Sequence, residues 1–394
     1  MEAKQLTNEG ASPNSEPLSF SSIISHEKIR ASLQALGLVK PTPVQKETLP
    51  RALAGKDLIV QAKTGSGKTF AFALPLLAKL EDLGDTVSKD TTYGLIVTPT
   101  RELAVQIRGV IESISPDIAP SCLIGGGNPR AQEKELDNDR RIVVGTPGRL
   151  LDFIRQGILV LNKAKYFVLD EADEMLSMGF IDDIRTILSK LPANDRQGLF
   201  VSATISPYVE SLANSFLKSP ERIIIQTPAE ERPDITHYIV DVGIGVATKT
   251  APLVYALENF SPRSAIIFCN TKADTELVEM ILKRKGFKAE KMNSDLAQKQ
   301  RENIMERMRS GDLKILIATD IAARGIDIDS VDLVVNYSIH DQAESYVHRT
   351  GRTGRAGRTG IALSIVGPQD FGGMHNLRKN LKHINFQKFE IPAK

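Results

Sequence analysis

Two short stretches hold the side chains whose types and spacing can do chemistry. One is Ala62-Lys63-Thr64-Gly65-Ser66-Gly67-Lys68-Thr69, set between an apolar run and a helical pattern. The other is Asp170-Glu171-Ala172-Asp173, which closes the apolar run Tyr166-Phe167-Val168-Leu169. In the first, the backbone N–H groups of Gly65, Ser66, Gly67 and Lys68 are placed to cradle phosphates at a helix N-terminus. Lys68 then reaches the β- and γ-phosphates and Thr69 ligates Mg2+. The strict G-x-x-x-x-G-K-[ST] pattern lacks its first glycine, where Ala62 stands. In the second, Asp170 can hold the metal through water and Glu171 can orient or deprotonate an attacking water. Together they predict hydrolysis of a nucleoside triphosphate.

A third cluster is cationic: His348-Arg349-Thr350-Gly351-Arg352-Thr353-Gly354-Arg355-Ala356-Gly357. Its arginines recur at every third position and need not pair with carboxylates inside the chain. Planar guanidinium forks suit phosphate oxygens, and one supplied from a second domain would act as an arginine finger. The glycines are read as a helix start.

These residues need strand ends and helix starts to hold them. Apolar runs at 58–61, 94–98, 121–124, 142–145, 166–169, 198–201 and 223–225 read as strands, with helical patterns such as 101–114 and 181–190 between them. The scheme repeats at 238–242, 265–269, 289–292, 315–318, 333–336 and 361–365, with helices at 273–285 and 298–309. Alternation of this kind predicts α/β architecture with parallel sheets flanked by helices. At 394 residues the chain exceeds what one core usually organises. Two prolines and a charge cluster at 227–234 place a flexible linker there. The expected layout is a disordered tail at 1–17, a first domain at 18–226, a linker at 227–235 and a second domain at 236–394. A cleft between two such domains is a natural ligand site.

Bulk composition is less informative. A net charge of +2 barely argues for nucleic acid, so any basic surface must be local. Cys122 and Cys269 sit in apolar runs far apart, which fits buried thiols in a reducing cytosol. No run approaches the about 20 apolar residues that span a bilayer. The segment after Ile365 holds an amphipathic helical pattern with Arg378, Lys379 and Lys382.

With these motifs in this order, the chain resembles the DEAD-box ATP-dependent RNA helicases of helicase superfamily two, from Phe20 to Ile365. The resemblance implies tandem RecA-like domains, ATP and Mg2+ as cofactors, RNA as partner, a cytoplasmic setting and a place in ribonucleoprotein assemblies. Phe20 and Gly37-Leu38-Val39-Lys40-Pro41-Thr42-Pro43-Val44-Gln45 resemble the family's Q motif, which implies that Gln45 reads adenine and Phe20 packs on the base. Pro99, Thr100 and Arg101, then Gly125 and Gly126, then Thr146, Gly148 and Arg149, match motifs that grip the RNA sugar–phosphate backbone. Ser202-Ala203-Thr204, with Asp173, resembles the motif linking the nucleotide site to strand separation. In the second half, Thr319 and Arg324 would contact RNA, as would Gln298 and Arg301, and Asp327 would contact the ATP ribose. Arg352 and Arg355 match the fingers and His348 the bridge to the first domain. Lys63 replaces the usual glutamine, Leu38 a common aromatic, and Asn293-Ser294-Asp295 the frequent His-Gly-Asp. A DNA translocase and an ATP-gated scaffold share these motifs and stay open as alternatives.

Overall fold

Strands buried on both faces need apolar residues at every position, and this chain supplies them in short β-branched runs. In the computed structural model, which describes residues 19–391 except 64, 226–233, 244–245, 294, 297, 324–330, 341 and 355–358, those runs form two parallel sheets. The tail expected at 1–17 and residues 227–233 of the expected linker fall outside the described residues, Asp234 accepts at its carbonyl from Gly360 N–H, and Ile235, expected to end that linker, already opens a strand.

The chain divides into two compact units at 226/227. In the first, the strands are β1 Leu58–Gln61, β2 Gly94–Val97, β3 Ser121–Leu123, β4 Ile142–Gly145, β5 Tyr166–Asp170, β6 Gln197–Ser202 and β7 Glu221–Ile224, in the order β3-β4-β2-β5-β6-β1-β7. In the second they are β8 Ile235–Asp241, β9 Ala265–Cys269, β10 Ala289–Met292, β11 Ile315–Thr319, β12 Leu333–Asn336, β13 Gly360–Val366 and β14 Phe386–Lys388, in the order β10-β11-β9-β12-β13-β8-β14. Counted from its own first strand, each unit has the same order.

Period-2 alternation sorts the side chains between two apolar layers. Leu58, Val60, Ile96, Val168, Leu199 and Val201 face one layer of the first unit, and Ile59, Leu95, Val97, Phe167, Leu169 and Phe200 face the other. The second unit repeats this, with Ala265, Ile267 and Cys269 on one side of β9 and Ile266 and Phe268 on the other. Both cysteines are buried in these layers, and burial pushes the Cys122 thiol up to about 11 and the Cys269 thiol further.

The sequence reading missed β14. It has only three residues on an edge, and its ladder with β8 is sealed by rings from distant elements. Phe386 meets the His237 and Tyr346 rings at 5.9 and 5.7 Å, and Phe389 meets Tyr238, Tyr255 and Phe260. The preceding helix, Phe371–Asn380, is pinned at its start by a buried ion pair. Lys249 Nζ donates to Asp370 Oδ2 at 2.7 Å and to the Tyr337 carbonyl at 2.8 Å.

His237, on β8, bonds Tyr346 Oη through Nδ1 at 2.8 Å. Burial, with a smaller push from His383, lowers its imidazole from 6.5 to about 4. The unfolded chain therefore binds a proton that the folded chain refuses between those values. Stability is full above the unfolded pKa and falls as pH drops toward the folded one, by at most about 3 kcal/mol. Urea unfolding of the second unit should show this decline, and His237→Gln should flatten it.

Candidate nucleotide site and nucleic-acid interface

The phosphate loop leaves the C-terminal end of β1 and enters the helix Lys68–Leu83 through two left-handed glycines, Gly65 at φ 78° and Gly67 at φ 90°. Gly67 carries a second constraint, because a Cβ there would lie 2.5 Å from Gln45 Nε2. That contact is a hydrogen bond. Gln45 Nε2 donates to the Gly67 carbonyl at 3.0 Å while its Oε1 accepts from Thr42 N–H at 2.9 Å, closing the capping box of the helix Pro43–Leu53. Gln45 and Phe20 are both buried, Gln45 against the loop and Phe20 in the apolar layer of the first unit. The Ser66 hydroxyl is buried without a partner, and the space above Gly65 is open, so the loop offers an unmet polar group to a ligand. Thr64 lies outside the described residues.

Lys68 is buried and donates to the Ala62 carbonyl at 2.8 Å. Thr69 follows it in the same helix. Asp170, the last residue of β5, is 3% exposed. Burial pushes its carboxyl up to about 6, against the pull of Lys68 and of the Glu171 N–H, which donates to Asp170 Oδ1 at 3.0 Å. A buried acid held at a strand end in this way is a hard oxygen donor, the kind a nucleotide-borne Mg2+ takes in ones and twos. Among the described residues no group of three or more acids, histidines or cysteines forms a closed metal cage. Glu171 sits in the left-handed region at φ 54°, a conformation that costs a non-glycine residue about 1 kcal/mol or more. It lets the chain turn directly from β5 into the helix Ala172–Ser177.

Asp173, just past β5, is bonded to the end of β6. Its Oδ2 accepts from Thr204 N–H at 2.9 Å and from Thr204 Oγ1 at 2.7 Å, and its own N–H donates to Ser202 Oγ at 3.2 Å. Ser202 in turn accepts at its carbonyl from Ala62 N–H at 3.0 Å. The phosphate loop, the acidic strand end and the Ser202-Ala203-Thr204 segment are therefore one bonded unit.

The neighbouring strands β2, β3 and β4 end at a second cluster. The helices Arg101–Ile114, Pro129–Asn138 and Pro147–Arg155 all start there, so three positive helix ends stand side by side. Thr100 caps the first, accepting from Leu103 N–H at 3.3 Å, with Pro99 buried before it. The Arg101 guanidinium lies on Gly125 and Gly126, where a Cβ at Gly126 would meet its Nη1 at 2.2 Å. Arg149 donates to Gln132 Oε1 at 2.8 Å and to the Gly127 carbonyl at 3.3 Å. Thr146 N–H is tied to the Leu123 carbonyl at 3.0 Å, and Gly148 is exposed with open space above it.

In the second unit Thr319 ends β11 and Arg301 Nη2 donates to the Ala322 carbonyl at 3.0 Å. Gln298 opens the helix Gln298–Ser310, its side chain outside the described residues, as are Arg324, Asp327 and Arg355. Asn293, in place of the family's histidine, is buried and accepts from Asp295 N–H at 3.1 Å. Two expectations for the arginine series fail. The segment ends the helix Ala343–Thr350 rather than starting one, with Gly351 as its C-cap. Arg349 is also paired inside the chain, forking onto Asp320 with two bonds of 2.6 Å. His348 lies in the last helical turn, and Arg352 follows, its N–H donating to the Arg349 carbonyl at 3.1 Å.

A lysine phosphate loop, an acidic strand end and duplicated parallel sheets define a two-unit P-loop nucleotide-binding α/β protein. Comparison with known proteins narrows this. The DEAD/DEAH box helicase model matches residues 42–212 and the helicase conserved C-terminal domain matches 248–357. The ATP-dependent RNA helicase DeaD of Haemophilus influenzae is 41% identical over 384 residues, 96% of this chain and 60% of that protein. The ATP-dependent RNA helicase CshA of Listeria monocytogenes is 40% identical over 376 residues, 95% of this chain and 71% of that protein. The chain thus spans less than two thirds of the first of these relatives. The structure of S. cerevisiae Dbp5 bound to RNA and ADP BeF3 superposes with a TM-score of 0.80 at 29% identity, covering 94% of this chain and 95% of that one. The chain belongs to the DEAD-box helicase family, and its two units are tandem RecA-like domains.

Two substitutions test the loop geometry. Gly67→Ala, strained and clashing with Gln45, should cost about 2 kcal/mol or more and weaken nucleotide binding by at least about tenfold. Glu171→Gly removes the left-handed strain and should leave the melting temperature of the first unit unchanged or raised. Calorimetry with fluorescent-nucleotide titration reads both.

Proposed function

We propose that this chain is an RNA-stimulated ATPase that uses ATP turnover for local, non-processive unwinding of RNA duplexes or remodelling of ribonucleoproteins in the cytoplasm. The reading is supported by one observation above all. The phosphate loop and the row of helix N-termini share the C-terminal edge of one sheet, with Asp173 fastening the nucleotide end of that edge into one bonded unit. Guanidinium forks and helix ends bind phosphate without reading bases, which fits a sequence-blind grip on a nucleic-acid backbone. Relatives named as ATP-dependent RNA helicases support RNA over DNA.

In this reading Lys68 and the loop N–H groups hold the triphosphate, and Phe20 and Gln45 serve the base. Thr69 and Asp170 would meet the nucleotide's Mg2+, largely through water; when bound, the ion offsets charge on the β- and γ-phosphates. Glu171 aligns the attacking water and takes its proton. Pro99 through Arg101, Gly125, Gly126, Thr146, Gly148 and Arg149 hold the RNA backbone from the first unit, and Thr319, Arg324, Gln298 and Arg301 from the second. Residues 227–234 act as the tether. Joint binding of ATP and RNA draws the units together, so that Arg352 and Arg355 reach the γ-phosphate, Asp327 the ribose and His348 the first unit. An RNA strand bent in that grip cannot keep its partner, and phosphate release reopens the clamp.

Steady-state ATPase assays test this. RNA should raise turnover, and a DNA strand of the same sequence should not, because a 2′-hydroxyl marks RNA. Lys68→Ala should abolish turnover. Glu171→Gln should cut it by about a hundredfold or more, the usual scale of a general base, while ATP and RNA still bind. Arg355→Ala should erase the RNA stimulation. Equal turnover with and without RNA would end the reading.

A further inference from the structure

Arg349 is the buried member of the arginine series, and we propose that it is a positioning residue that couples the RNA-side strand end of the second unit to the segment carrying Arg352. This deepens the RNA-stimulated ATPase reading and rests on it. The guanidinium is 2% exposed and spends its donors on three strand ends at once. Nε and Nη2 fork onto the two Asp320 oxygens at 2.6 Å each, just beyond β11. Nη2 also donates to Asn270 Oδ1 at 3.0 Å, just beyond β9, and Nη1 to the Ser338 carbonyl at 2.6 Å, just beyond β12. The Phe268 ring lies 5.3 Å beneath the plane.

Asp320 directly follows Thr319, the residue assigned to RNA, and Arg349 sits one turn of chain before Arg352, which bonds its carbonyl. Displacing the Thr319–Asp320 strand end must therefore either carry Arg349 along or break two charge-assisted bonds in a buried setting. Either way the Arg352 segment responds. Lysine cannot reproduce this, since its donors radiate from one nitrogen whereas the guanidinium spreads Nε, Nη1 and Nη2 across a plane to reach three separate strand ends.

The test compares Arg349→Lys, Asp320→Asn and the double variant in the full chain, reading RNA-saturated and RNA-free ATP turnover together with fluorescent-ATP affinity. The ratio of RNA-saturated to RNA-free turnover should fall about tenfold in each single variant and no further in the double, because both cut the same link. ATP affinity should stay within about threefold, since the phosphate loop is in the other unit. A merely structural defect scales both turnover numbers alike and leaves the ratio intact, which would overturn the inference. So would independent, multiplying losses in the double variant. Where Arg349→Lys fails to fold, Asp320→Asn, at a partly exposed carboxylate, decides alone. A wild-type chain with no RNA stimulation would overturn the function reading as well, whereas an intact ratio in the variants overturns this inference only.

Discussion

A parallel strand must be re-entered from the end at which its neighbour began, so every crossover helix starts at the same rim of the sheet. That constraint governs both units of this protein. It lines up the C-terminal ends of β1, β5 and β6 with the phosphate loop, the acidic pair and the Ser202-Ala203-Thr204 segment. It sets the three helix starts after β2, β3 and β4 beside them. Neither cluster needs long loops, because the sheet has already brought its parts within bonding distance. What local sequence adds is the fastening: Asp173, whose carboxylate accepts two bonds from Thr204 while its N–H donates to Ser202, and the Gln45 amide, bonded to Thr42 and Gly67.

The two units share a strand order but differ in how their rims are fastened. In the first, an anion does it, with Asp173 gathering N–H and O–H donors from the segment after β6. In the second, a cation does it, with Arg349 gathering carbonyl, amide and carboxylate oxygens from the ends of β9, β11 and β12. The first arrangement leaves arginines such as Arg101 and Arg149 at the neighbouring strand ends. The second consumes one arginine of a series of three in holding its own sheet.

Much of this was legible in the sequence. Strands such as Ala265–Cys269 and Leu333–Asn336 are apolar at both parities, and the helix Arg101–Ile114 has a single apolar face between a Thr cap and a polar stop. The phosphate loop and Asp170 needed only their order along the chain. What escaped reading depends on partners far away in sequence. Phe386–Lys388 is a strand because β8 lies beside it, although the duplicated strand order was itself a signal, since β7 has the same place in the first unit. Arg349 and Arg352 are each followed by Thr and then Gly, so their downstream sequence looks alike. Only the fold, by putting Asp320 next to one of them, tells the structural fork from the candidate finger. The glycines of the series suggest a helix start, but glycine after a cationic last turn is equally a C-cap, and Gly351 is one.

The two bonds made by Gln45 have an effect beyond holding the loop. A primary amide is a reader with two settings, and turning it over exchanges its donor for its acceptor. Here the Thr42 N–H admits only an oxygen and the Gly67 carbonyl only an N–H, so the side chain is fixed in one setting before any base arrives. Its second hydrogen and second lone pair keep that order. Adenine and guanine present opposite donor–acceptor orders along their six-ring edges, so under the base-reading role proposed for Gln45 a pinned amide would favour one purine where a freely turning one would not.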